Sequence, residues 1–206
     1  MISTEHKFIY IHVPKTGGNS IQTSLEPFSD DRRALNTHQD GIDRFNITGP
    51  TTSTKHMSLA SYKAALGGID RYFVFFSARH PFRRVISGFF SPSNWARQNR
   101  SGTWKIHSPV WNYTEFLAFA GRMRPIVSYV KVDGEIYPAD DVIRLESIAA
   151  DYERITKALG IHGAAPLGHF NATADVHRQM ESALRDNGLR RTIEEQFAED
   201  MAFLGY

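Results

Sequence analysis

The stretch FIYIHVPKTGGNSI, residues 8–21, decides the fold of this 206-residue chain. Phe8–Val13 is almost continuously apolar and lacks the alternation of a strand with one face in water, so it predicts a buried strand of a parallel sheet. A turn with two glycines follows, and the pattern predicts a short helix over Gly18–Glu26 that Pro27 ends. We therefore expect a strand, a glycine turn and a helix in direct succession.

This succession favours an anion-binding site. Backbone N–H groups at the start of a helix have no partner within the helix, and the helix dipole attracts negative charge. Gly17 and Gly18 let the backbone approach a phosphate or sulfate, Lys15 adds a positive charge, and hydroxyls come from Thr16 and Ser20. The nucleotide-triphosphatase loop has a different order, because here the lysine precedes both glycines. An ordinary glycine turn is the alternative interpretation.

A second motif, FFSARHPFRRVISGFF, covers residues 75–90. It contains the end of a second buried strand, Tyr72–Ser77, and Pro81 stands where the first turn of the next helix is expected. Arg79 follows the strand and Ser87 lies about two turns into the helix. A guanidinium and a hydroxyl at the carboxyl edge of a parallel sheet can hold a second phosphate. Taken singly, the arginine fits a surface ion pair and the serine a solvent-facing helix position.

The remaining periodicity predicts one further strand and several helices. The strand is Val142–Leu145. One helix is expected to follow Pro81, and the others cover 58–66, 114–120, 148–159 and 189–204. Residues 28–54 and 91–112 are polar and predict irregular structure. Strands that alternate with helices predict an α/β fold, a three-layer sandwich with a central parallel sheet, in a single domain over 1–206.

Composition limits the function classes. The formal net charge is +2, so no large basic face for nucleic acid is expected. There are no cysteines, which excludes disulfides and thiolate metal sites and fits a reducing compartment. No apolar run approaches the roughly 20 residues of a membrane span, and no compact His, Asp and Glu cluster has metal spacing. We expect a soluble, cytoplasmic protein without a metal.

Both motifs together resemble those of carbohydrate sulfotransferases, of the heparan sulfate 2-O-sulfotransferase type in a single bacterial-type domain. HVPKTGGNSI, residues 12–21, is similar to the family loop that binds the 5′-phosphosulfate of PAPS (3′-phosphoadenosine 5′-phosphosulfate), where the usual form is close to His-x-Pro-Lys-Thr-Gly-Gly-Thr-Ser. Asn19 stands where threonine is usual. Arg79, Pro81 and Ser87 match the family's 3′-phosphate site position for position.

The resemblance extends through residues 140–161, 169–173 and 197–206, and so covers essentially the whole chain. It implies a P-loop-NTPase-like sulfotransferase fold, PAPS as donor, adenosine 3′,5′-bisphosphate (PAP) as product and a carbohydrate hydroxyl as acceptor. The positions that the resemblance assigns to donor binding are Pro14, Lys15, Thr16, Gly17, Gly18, Asn19, Ser20, Arg79, Ser87, Asn171 and Thr173, with Arg178 as a further contact of the adenosine part.

Sulfuryl transfer needs a cation for the leaving phosphate and a base for the attacking hydroxyl. Lys15 fits the first role. His56 in the context KHMS resembles the catalytic histidine of related glycan sulfotransferases, with Lys55 and Glu26 as alternatives, whereas His12 fits a buried structural position.

The sequence leaves alternatives open for both the acceptor and the class of reaction. Three tryptophans and several basic residues in 91–112 suit a glycan, and they equally suit anchors beneath a long loop. The other functions consistent with the motifs are a non-catalytic nucleotide- or glycan-binding module and a nucleotide-dependent kinase. A kinase fits less well because the Gly-Lys-Ser/Thr order is absent.

Overall fold

The computed structural model describes residues 1–35, 45–168 and 177–206. These residues form two compact units. The described part of the first consists of 1–35, 45–79 and 126–168, and that of the second consists of 80–125 and 177–206. Each unit is described separately below.

The described elements are short. In chain order the strands are β1 (Ile2–Ser3), β2 (Phe8–Ile11), β3 (Arg32–Leu35), β4 (Phe45–Thr48), β5 (Phe73–Ala78), β6 (Ala96–Gln98), β7 (Trp104–Ile106), β8 (Lys131–Val132), β9 (Glu135–Ile136) and β10 (Asp141–Arg144). The helices are α1 (Gly18–Leu25), α2 (Leu59–Leu66), α3 (Pro81–Phe89), α4 (Pro92–Trp95), α5 (Tyr113–Arg122), α6 (Val127–Val130), α7 (Ile148–Ala158), α8 (His177–Leu184), α9 (Asn187–Gln196) and α10 (Ala198–Leu204).

The main sheet lies in the first unit, with the strand order β1-β2-β5-β10. Strands β2, β5 and β10 are parallel, with Tyr10 opposite Phe75 and Val142 opposite Phe76. The central parallel sheet expected from the buried apolar runs is therefore confirmed, and so is the mixed α/β class. Strand β1 adds an antiparallel edge that the sequence did not predict, because two residues carry no periodicity.

Both faces of β2 are buried, as its continuous apolar run predicts. Phe8 and Tyr10 point to one face and Ile9 and Ile11 to the other, and all four are inaccessible to solvent. The face of Phe8 and Tyr10 packs in one apolar cluster with residues of α1, β5, β10 and α7. This packing fixes α1 against the sheet, directly after the glycine turn.

The second unit has its own apolar core. Helix α3 contributes Phe82, Val85, Ile86 and Phe89, which pack with side chains of α5, α8 and α9. The paired strands β6 and β7 form an antiparallel ladder outside this core.

The starts of α2 and α3 agree with the predictions. Ser58 accepts a hydrogen bond from the Ser61 N–H (3.3 Å) and caps α2, which ends at Gly67 with φ +70°. Pro81 occupies the first turn of α3. Helix α5 begins at Tyr113, one residue before the predicted start, because the side chain of Asn112 caps it by accepting from the Glu115 N–H (2.9 Å).

Other boundaries differ from the predictions. Residues 28–54 contain the paired strands β3 and β4, and 91–112 contain α4, β6 and β7. The predicted helix over 189–204 is two helices, α9 and α10, interrupted at Phe197 (φ −108°, ψ 34°). Strands of three or four residues with mixed polarity give too weak a pattern to detect. Among the described residues, no helix has the length and apolar character needed to cross a membrane.

Candidate functional site

The predicted anion loop lies at the carboxyl end of β2. Two residues within it have left-handed backbone conformations, Lys15 with φ +70° and Gly17 with φ +81°, and α1 begins at Gly18. A non-glycine residue in this region costs of order 1 kcal/mol, so surrounding contacts must hold Lys15 in place. The loop thus directs the chain sharply from the strand into the start of the helix, where unpaired N–H groups are expected.

Each glycine of the loop is required by packing. A Cβ on Gly17 would lie 2.7 Å from Leu145 Cδ1, and the positive φ adds strain for any other residue. A Cβ on Gly18 would lie 2.0 Å from Cδ2 and 2.3 Å from Nε2 of the His12 ring. The sequence indicated one reason for both glycines, which is that they let the backbone approach an anion. The structure adds that one accommodates Leu145 and the other accommodates His12.

A chain of buried hydroxyls fastens the loop to the sheet. Tyr10 donates to Ser77 (2.8 Å), the Ser77 and Thr16 hydroxyls are 2.6 Å apart, and Thr16 donates to the Val13 carbonyl (2.7 Å). Because Thr16 has a single hydroxyl proton, Ser77 must be the donor between these two hydroxyls. Burial raises the pKa of Tyr10, so its proton stays in place. The loop is therefore anchored to β5 as well as to β2.

His12 is a buried structural residue, as predicted. Its side chain is 4% exposed, and its Nδ1 lies 2.8 Å from Oε1 of the buried Gln22. An amide oxygen only accepts, so Nδ1 carries the proton. Burial lowers the pKa of His12 well below its usual range, and the positive charges that a protonated His56 and Lys55 carry lower it further. The ring is neutral near pH 7.

His56 lies against this buried ring, at a centroid distance of 4.5 Å. Its Nδ1 is 3.0 Å from the backbone carbonyl of His12. A carbonyl only accepts, so Nδ1 carries a proton, and in the neutral form of the ring the lone pair is then on Nε2. The side chain is half-buried. The ring is therefore held, next to the anion loop, in the form that can accept a proton through Nε2.

Each of the two alternative bases has a hydrogen-bond partner of its own. The Lys55 ammonium lies 3.5 Å from Oδ1 of Asn19, so the residue that replaces the usual threonine contacts a cation at the loop. Glu26 follows the last residue of α1 and accepts from the Arg33 N–H (2.8 Å). Its other carboxylate oxygen is 3.6 Å from the Arg33 guanidinium. At 1.5 Å per residue, Glu26 is about 12 Å along the helix from Gly18.

Residues of α1 also contact residues 165–168. Ser20 donates to the Gly168 carbonyl (2.7 Å) and Ser24 donates to the Ala165 carbonyl (2.5 Å). The Ser20 hydroxyl can therefore donate to a bound anion only if it releases Gly168. Asn171 and Thr173, the other predicted donor contacts, lie outside the described residues.

The predicted 3′-phosphate residues occupy different units. Arg79 is the last residue of the first unit's middle segment and follows β5 directly, and its side chain is half-buried. Ser87 lies in α3 of the second unit and is also half-buried.

The three tryptophans of 91–112 have two different roles. Trp95 donates to the Phe89 carbonyl (2.6 Å), and Trp111 stacks on Phe90 at 6.0 Å, so both anchor the core of the second unit. Trp104 is 37% exposed on β7, beside exposed Lys105. Trp104 is therefore the most exposed of the three tryptophans.

Two residues of this site were not predicted from the sequence. Ser77 was predicted only as the end of a strand, and Gln22 was not identified. The available signal for Gln22 was a polar residue on the same helix face as Ile21 and Leu25, one turn after Gly18. Such a residue is buried only when its amide is hydrogen-bonded.

Comparison with known proteins adds one positive result. A family model described as "Sulfotransferase family" matches residues 1–206. No curated protein and no solved structure matches the chain. Among the residues that the structure describes, no group of three or more His, Asp or Glu side chains is placed to hold a metal ion.

Proposed function

The chain belongs to the sulfotransferase family, and we propose that it transfers the sulfuryl group of PAPS to a hydroxyl of a carbohydrate acceptor. One observation carries the proposal. The strand end that starts the anion loop also provides, through the His12 carbonyl, the hydrogen bond that orients His56. A candidate base and a candidate anion loop are thus joined by a hydrogen bond within the first unit.

In the proposed reaction the acceptor oxygen attacks sulfur in line with the leaving phosphate. His56 takes the proton of the attacking hydroxyl on Nε2. The new oxygen–sulfur bond forms as the bond between sulfur and the bridging phosphate oxygen breaks. Lys15 neutralises the negative charge that develops on the leaving phosphate, because its ammonium is part of the loop that binds this group.

The proposal keeps the donor-binding residues that the sequence motifs indicate. They are Pro14, Lys15, Thr16, Gly17, Gly18, Asn19, Ser20, Arg79, Ser87, Asn171 and Thr173. Arg79 and Ser87 are assigned to the 3′-phosphate by their spacing in the sequence. The hydroxyl of Thr16 already binds Val13, which favours a backbone contact from this residue. The hydrogen bond between Lys55 and Asn19 favours a second cation near the phosphosulfate.

A carbohydrate acceptor is supported by the exposed side chains of β6 and β7. Trp104 offers an aromatic face of the kind that packs on sugars, and the register places exposed Arg97 directly opposite exposed Lys105. Like charges in directly opposed positions destabilise a strand pair. The two opposed positive charges of Arg97 and Lys105 therefore favour an acceptor that carries acidic groups.

Ligand-dependent stabilisation tests the donor assignment. We expect PAP to raise the melting temperature, since a ligand at 100 times its Kd stabilises the folded state by about 2.7 kcal/mol. Lys15→Ala and Arg79→Ala should each weaken or abolish this shift. Stabilisation by ATP with magnesium and not by PAP would support the kinase alternative and overturn the proposal. Stabilisation by PAP without transfer from labelled PAPS to any glycan would indicate a binding module.

A further inference from the structure

Gln22 has an unusual position for an uncharged polar side chain. It lies in α1, one turn after Gly18, and is inaccessible to solvent. A buried amide destabilises a fold when its groups are left without hydrogen bonds. The oxygen and the nitrogen of this amide are both hydrogen-bonded, and their partners lie in two segments that are distant in sequence.

The amide oxygen of Gln22 accepts from Nδ1 of His12 (2.8 Å), and its nitrogen donates to the carbonyl of Lys55 (3.4 Å). The two contacts agree with each other, because a carbonyl must face the amide nitrogen and the oxygen then faces the imidazole N–H. One side chain of α1 therefore connects the end of β2 with the residue that precedes His56.

The His12 ring is confined on two further sides. Gly18 provides the space for it, since a Cβ there would lie 2.0 Å from the ring. His56 covers another side at 4.5 Å between ring centroids, and its Nδ1 donates to the His12 carbonyl (3.0 Å). Displacement of the His12 ring would therefore change the surface against which His56 packs.

We propose that Gln22 is a positioning residue for the transfer reaction, which holds His56 with its proton on Nδ1 and its lone pair on Nε2. It does so by fixing both the buried His12 ring and the Lys55 carbonyl. This inference rests on the proposed role of His56 as the base. It assigns no contact between Gln22 and either substrate.

The charges around His56 are consistent with this role. Burial lowers the pKa of His12 and the ammonium of Lys55 lowers it further, so the His12 ring is neutral and does not compete for the proton of the acceptor. The ammonium of Lys55 contacts Asn19. When His56 accepts the proton, its ring becomes positively charged and the ring of His12 stays neutral.

The tautomer of His56 can be read directly by NMR. Long-range proton–nitrogen spectra distinguish a protonated ring nitrogen from one with a lone pair, and the signals lost in His56→Ala identify this residue. We expect His56 of the unchanged protein to be protonated on Nδ1. In Gln22→Met, which removes both hydrogen bonds at similar volume, we expect a mixture of the two tautomers. Gln22→Glu keeps a polar group in the cavity and provides a second test if the methionine variant does not fold.

Kinetics provide the second measurement. In the Gln22 variants we expect kcat to fall by about ten- to a hundredfold, as for other small misplacements of catalytic groups, with an unchanged KM for PAPS. Ser24→Ala is the matched control, because Ser24 is a buried polar residue of the same helix whose hydroxyl binds Ala165 and Tyr152. An unchanged His56 tautomer and an unchanged kcat in a folded Gln22 variant would overturn the inference. Absence of transfer by the unchanged protein would contradict the proposed function, and the NMR result would still decide whether Gln22 orients His56.

Discussion

At the scale of single residues, the site depends on side chains that hold other side chains. Gly18 accommodates the ring of His12, the carbonyl of His12 orients His56, and the hydroxyl of Ser77 fastens Thr16. The sequence could identify the loop, because its residue types are adjacent in the chain. It could not identify these supporting contacts, because their partners come from different segments and the pattern of any one segment does not reveal them.

The close approach of Gly18 to His12 predicts the effect of a single methyl group. Gly18→Ala would place a Cβ 2.0 Å from the ring, and we expect a loss of stability of about 1–3 kcal/mol as the ring is displaced. Gly121→Ala in α5 is the control, because a Cβ there would meet none of the described neighbouring residues within 4 Å, and helix propensity predicts a neutral or stabilising effect. Urea unfolding measures both. Equal stability of the two variants would show that His12 does not pack against Gly18.

The buried His12 predicts a pH dependence of stability. Its pKa in the folded state is well below the ordinary value of 6.5, so the unfolded chain takes up the proton first as the pH falls. The stability contribution of the neutral ring is therefore fully present above about pH 6.5 and is lost as the pH falls below that value. The loss approaches about 1.4 kcal/mol per pH unit for one proton.

His12→Asn isolates this contribution, because an amide N–H can still donate to Gln22 and does not titrate. Urea unfolding of both proteins between about pH 7.5 and about pH 5, on either side of the ordinary histidine pKa, gives the two slopes. We expect a shallower loss of stability in the variant. Identical slopes would mean that His12 is not held neutral in the folded protein.

At the scale of elements, runs of apolar residues were the reliable guide. The three parallel strands were predicted because residues 8–13, 72–77 and 142–145 are continuously apolar or nearly so. The pairs β3–β4 and β6–β7 were not predicted, because each strand is short and mixes polar with apolar residues. The break between α9 and α10 was also missed, since the apolar spacing continues through it.

The two different roles of tryptophans near β6 and β7 can be separated by substitution. Trp104→Ala removes an exposed ring, so we expect an unchanged melting temperature and a several-fold higher KM for the acceptor. Trp95→Ala removes a ring that contacts Phe89 and donates to its carbonyl, and we expect a loss of about 3 kcal/mol. Thermal unfolding and acceptor titrations check both. If Trp104→Ala leaves the acceptor KM unchanged, the exposed ring does not bind the acceptor.

At the scale of the whole molecule, the family match over residues 1–206 agrees with the order of the motifs along the chain. The α/β class followed from the alternation of strands and helices, whereas the division into two compact units had no signal in composition or linkers. The site in the first unit provides a loop, a cation and an oriented histidine. These are the groups to which the proposed function assigns the transfer step.

The central claim is that this site transfers a sulfuryl group with His56 as the base. The most direct measurement is transfer of label from PAPS to a panel of glycans by the unchanged protein, by His56→Ala and by His162→Ala, whose histidine is exposed in the same unit. We predict a labelled glycan with the unchanged protein and with His162→Ala. We predict equal PAP binding and a rate lower by about a hundredfold or more with His56→Ala. An unchanged rate in His56→Ala, or no labelled glycan with the unchanged protein, would contradict this account.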